Sequence, residues 1–90
     1  MEQKFLAAFA ANREMAEKLG VRMRPITHIA DAHRILSSGR TGDGFGPLAD
    51  KNRLDLSLEA LVVDKRYTML FSDDEANYAL SRLLDAGYLF

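Results

Sequence analysis

The chain has no cysteine, no tryptophan, only two prolines and two histidines, and no long hydrophobic run. Each absence removes a class of protein. Without cysteine there is no disulfide framework, thiolate nucleophile or thiolate metal site, which fits a reducing compartment and makes the cytoplasm the expected location. No stretch approaches the roughly 18 apolar residues needed to cross a bilayer, so no membrane association is expected. FLAAFAA, residues 5–11, has the small residues of a secretion signal. However, Glu2 precedes it and a helical pattern runs on through Arg13 to Leu19, so it reads as part of a first helix.

The two histidines, His28 and His33, are five residues apart, about 140° around a helix, and cannot easily share a metal ion. His33 falls on an apolar face and reads as a satisfied core residue, whereas His28, near Asp31 and Arg24, reads as solvated. No local motif supplies a nucleophile for either. No catalytic residue, cofactor or metal ligand is therefore assigned.

What is present describes an ordinary globular protein. Ninety residues with 48% hydrophobic and 28% charged side chains suit one small domain, 1–90, near the size at which burial only just offsets chain entropy. Self-association would be a natural supplement. The net charge of −1 hides an asymmetry: residues 1–53 carry nine Lys and Arg against six acids, whereas 54–90 carry three against seven. The most basic stretch holds Lys18, Arg22, Arg24, Arg34 and Arg40, with Asp31 the only acid between 18 and 40.

Periodicity predicts a mainly α, four-helix domain with a Gly-rich loop at 39–47. Residues 2–19 make the first helix, with a stripe of Phe5, Ala8, Phe9, Met15, Ala16 and Leu19 and Gly20 as its terminator. A second opens at Pro25, whose fixed φ suits a first helical turn, and closes before Gly39 with Ile26, Ile29, Ala30, His33 and Leu36 on one face. GRTGDGFGP, which holds four of the six glycines, has no periodic apolar face; Phe45 is expected to pin it to the core. Residues 54–71 are ambiguous. A short helix capped by Ser57 is favoured over the alternative, an α+β arrangement with a hairpin at 60–71, because no Asn-Gly or Asp-Gly turn is present. The last helix has the clearest signals: the Ser72 and Glu75 capping box, Asp73 and Asp74 in the first turn, an apolar face of Ala76, Ala79, Leu80, Leu83 and Leu84, and Gly87 as its stop.

Two anion- or cation-binding motifs fail on inspection. The glycine loop lacks the Gly-Lys-Ser/Thr that opens a helix in a phosphate-binding loop, since Lys51 follows Asp50. A calcium loop beginning at Asp50 would need glycine at its sixth position and glutamate at its twelfth, where Asp55 and Leu61 stand.

SLEAL followed by SDDEANYALSRLLDAGYL resembles the second half of a winged-helix module, in which a helix near Ser57 precedes a recognition helix and Leu83 to Leu89 leads into the wing. That resemblance implies nucleic-acid binding. Two features depart from it: no second wing strand follows by Phe90, and the recognition helix would begin with three acids, Asp73, Asp74 and Glu75, which would repel phosphates.

The expected function is therefore a non-catalytic, adaptor-like protein-binding or regulatory domain acting through surface complementarity, with a homodimer through the Ala-rich first helix as the nearest version. Phe5, Phe9 and Met15, or the tail residues Leu89 and Phe90, would make contact, and Arg22, Arg24 and Arg34 would orient the partner. A nucleic-acid-binding protein is the alternative.

Overall fold

Ser57 and Ser72 open helices by the same device, a hydroxyl that accepts an N–H three residues on, from Ala60 and Glu75 respectively, at 3.1 Å in both cases. At Ser72 the bond is returned, because Glu75 Oε1 accepts the Ser72 N–H at 2.8 Å and completes the capping box. A computed structural model describes residues 1–88. Within them lie five α-helices: α1 (Glu2–Lys18), α2 (Ile29–Ser37), α3 (Phe45–Asp50), α4 (Leu58–Val62) and α5 (Asp73–Asp85). Two 3-10 segments, Leu54–Leu56 and Lys65–Leu70, flank α4. No strand occurs among the described residues, so the domain is mainly α.

The hairpin alternative at 60–71 does not form. Where it would turn, the Asp64 carboxylate accepts the Arg66 N–H at 2.9 Å and starts a 3-10 segment. The second helix begins later than Pro25 suggests, at Ile29, with His28 in extended conformation as its N-cap. Pro25 permits a helix but equally suits extended chain. Residues 21–27 run extended so that Val21, Met23 and Ile26 turn into the core while Arg22 and Arg24 face water. The face of α2 shifts accordingly, with Ala32 and Leu36 buried and Ala30 exposed. The Gly-rich loop is also shorter than 39–47, because Phe45 to Pro47 belong to α3, and Phe45 packs against the core.

One core gathers residues from every helix. Phe5 and Phe9 of α1 and Leu58, Leu61 and Val62 of α4 meet Tyr67, Phe71, Ala79 and Leu83. The Phe5 ring stands edge-on to Tyr67 at 5.4 Å between centroids and to Phe71 at 5.2 Å, a geometry that suits aromatic quadrupoles. Short α4 is the hub, touching α1, α5 and both 3-10 segments. Two apolar stripes are narrower than their spacing suggests: Met15 on α1 and Leu80 and Leu84 on α5 lie at the surface.

Two loop glycines are set by close approach. Gly44 has φ +79°, and a Cβ there would lie 2.9 Å from Val21 Cγ1 and 3.3 Å from the Arg22 carbonyl oxygen. At Gly42 a Cβ would come within 3.1 Å of Leu58 Cβ. The loop thus presses on both the extended segment and α4.

Candidate functional site

Between α2, loop residues 40–43 and the chain at Arg24 to Ile26 lies a cleft of about 370 Å³. Its floor is apolar, formed by Phe9, Ile26, Ile35 and Leu58, and its rim carries Arg24, Arg34 and Arg40 with Asp31 and Asp43. Helix α2 supplies Asp31 and Arg34 one turn apart, and the Arg34 Nη1 donates to Asp31 Oδ1 at 3.2 Å. Across the cleft, Arg24 Nε lies 3.3 Å from Asp43 Oδ2, which also accepts the Arg24 backbone N–H. Arg40 makes no ion pair among the described residues; its carbonyl accepts the Tyr78 hydroxyl at 3.1 Å, which ties this corner to α5. A wider, more open hollow of about 710 Å³ adjoins the cleft, shares Arg24, Pro25 and Asp43 with it, and holds Arg22.

The wall of the cleft rests on a buried carboxyl group. Glu59 of α4 is completely buried, and its Oε2 accepts the Gly42 N–H at 2.7 Å while Oε1 has no partner among the described residues. Burial pushes the Glu59 carboxyl above its ordinary value, and the N–H bonds from Gly42 and from its own backbone offset this only in part. A raised folded-state value means that the folded chain holds this proton more tightly than the unfolded one, so Glu59 contributes stability that is lost as pH rises from 4.5 through the folded value. Acidification from neutral pH toward 4.5 should therefore stabilise the wild type relative to Glu59→Gln, in a series of urea unfolding curves for both proteins. Parallel pH profiles would refute it.

A second cluster lies between α2 and α5. His33 Nδ1 is 2.5 Å from Glu75 Oε2, and the imidazole packs at 5.2 Å on Phe71. Burial works against the Glu75 charge, but bonds from the Ser72 N–H and from His33 outweigh it and hold the carboxyl below its ordinary value. Both oxygens of Glu75 are thus committed, one to the helix cap and one to His33, which makes the pair a clamp between helices. Among the described residues no group of three or more His, Cys, Asp or Glu side chains is placed to hold a metal ion. None of their helices is long and apolar enough to cross a membrane.

The residues expected to contact a partner are dispersed. Phe5 is fully buried and Phe9 is 3% exposed, so both are core residues; Phe9 reaches the cleft only as part of its floor. Aromatic rings at those positions fill the core beneath α4, which removes them from any partner's reach. Met15 is exposed on α1, outside the lining of the cleft. Arg24 and Arg34 do meet at the rim, and Arg22 stands in the adjoining hollow. Leu89 and Phe90 lie outside the described residues. The sequence places Arg40 in the basic cluster but not among the partner-contacting residues, and it does not mark Glu59 at all. A lone acid inside LSLEALVV was the available signal for Glu59. Compared with family models, curated proteins and solved structures, the chain matches none.

Proposed function

We propose that this chain is a small non-catalytic protein-binding domain whose cleft beside α2 receives a segment of a partner protein. One observation carries the proposal: an apolar floor enclosed by a charged rim in a space of about 370 Å³, within the roughly 300–1,000 Å³ of small binding sites. The floor rewards burial of an apolar side chain, and the rim fixes its orientation. The cysteine-free composition suits a cytoplasmic setting. Catalysis has no support in the rest of the surface, because the closest acid–base pair, His33 and Glu75, is engaged in holding α2 to α5.

Nucleic-acid binding is the less favoured role. Asp31 and Asp43 already offset two of the three rim arginines, and Asp73 and Asp74 are exposed at the start of α5. A quantitative pull-down with wild type and an Ile35→Lys variant, with light scattering on each, tests the proposal. A protein retained by the wild type and lost from a folded variant supports it. Equal retention by both, or nucleic acid recovered instead of protein, refutes it.

A further inference from the structure

Building on the protein-binding role proposed above, we infer that the occupant of the cleft is a peptide segment carrying one carboxylate beside an apolar side chain, and that Arg40 reads the carboxylate. Three guanidiniums line the cleft, and two already have an acid: Arg24 has Asp43 at 3.3 Å and Arg34 has Asp31 at 3.2 Å. Arg40 alone has none among the described residues, which leaves one uncompensated positive charge at the loop corner. The Thr41 hydroxyl beside it likewise makes no hydrogen bond among the described residues.

That corner is held in place from two sides. The Tyr78 hydroxyl binds the Arg40 carbonyl, and buried Glu59 binds the Gly42 N–H. The loop is thus anchored on both sides of Thr41, so the guanidinium projects from a fixed backbone and loses less freedom on binding.

The count also selects the anion. A carboxylate matches a single uncompensated charge and can accept two parallel bonds from a guanidinium. A phosphoryl group brings about two negative charges, and the second would face Asp31 and Asp43 across the same cleft. A duplex needs several phosphate contacts that one free arginine cannot provide. The apolar floor of Ile26, Ile35 and Leu58 stays wet under a bare anion, and therefore calls for a neighbouring apolar residue.

Selection of short peptides from a random displayed library against the full chain, followed by fluorescence anisotropy on a selected peptide, tests this. Enriched peptides should pair an Asp or Glu with an adjacent Leu, Ile, Met or Phe, and replacing the acid by its amide should weaken binding about tenfold. In Arg40→Ala, checked for folding by circular dichroism, acid and amide peptides should bind alike, while Arg40→Lys should retain part of the preference. Acid and amide peptides that bind the wild type equally overturn the carboxylate inference and leave the protein-binding role standing. A phosphoserine analogue that binds more tightly, or light scattering that finds a second copy of the chain filling the cleft, overturns the choice of occupant. If no peptide is enriched and a folded Ile35→Lys variant still retains the same protein as the wild type, the protein-binding role fails with it.

Discussion

Phe5→Ala should lose about 3–5 kcal/mol of stability, a large part of the roughly 5–15 kcal/mol that holds a small domain together. Phe5 is fully buried, and its ring is the common neighbour of Tyr67 and Phe71, so truncation empties a space that α1 shares with the second 3-10 segment and the residue that follows it. Urea unfolding followed by circular dichroism measures the loss. Met15→Ala on the same helix provides the contrast: Met15 is 44% exposed, and surface changes of this kind stay within about 0.5 kcal/mol. Both residues belong to one apolar stripe in the sequence. If Phe5→Ala costs less than about 1 kcal/mol, the core described above is wrong.

Gly44→Ala is expected to be the most harmful single methyl in the loop. Left-handed backbone alone costs a non-glycine residue about 1–2 kcal/mol, and forcing a group into filled space adds about 1–3 kcal/mol. At Gly44 both apply, because φ is +79° and the new Cβ would meet Val21 Cγ1 at 2.9 Å and Met23 Cγ at 3.0 Å. Two other glycines separate the contributions. Gly20, at φ +83°, has nothing within 4 Å, so Gly20→Ala carries strain without a clash. Gly46 sits in α3 with open space around it, and there alanine should be neutral or stabilising. The expected order of destabilisation is Gly44, Gly20, Gly46, read from unfolding midpoints. Equal losses at Gly44 and Gly20 would mean that the loop does not press on the extended segment.

Legibility in the sequence follows where the governing interactions are local. Helix α5 could be read because a capping box, an acidic first turn and a terminal glycine all lie within its own residues. The helix after Ser57 could be read for the same reason. The start of α2 could not, because Pro25 satisfies both helix and extended chain, and the choice is made by burial of Val21, Met23 and Ile26 against distant residues. Stripes at helical spacing marked apolar positions without telling Phe5 from Met15 or Leu83 from Leu84. Which of them is buried depends on where α4 sits.

At the candidate site, the basic stretch was visible in composition, and so was its concentration before Arg40. Its division into paired and unpaired arginines was not, since Asp43 meets Arg24 only after the loop folds back across the extended segment. Glu59 joins Gly42 over seventeen positions, a separation that no local pattern encodes.

The partners of Phe5 also constrain the order in which the chain can become native during synthesis. Helix α1 is made before Tyr67 and Phe71, against which its Phe5 ring packs, and some sixty residues separate them. Until then its apolar face has nothing to close on, and no N-terminal subset of the helices contains the aromatic cluster. Completion of this core therefore waits for the segment that follows α4. Any nascent or truncated product ending before that segment leaves Phe5 without its aromatic neighbours, and exposed apolar surface of this kind is what chaperones and proteases recognise.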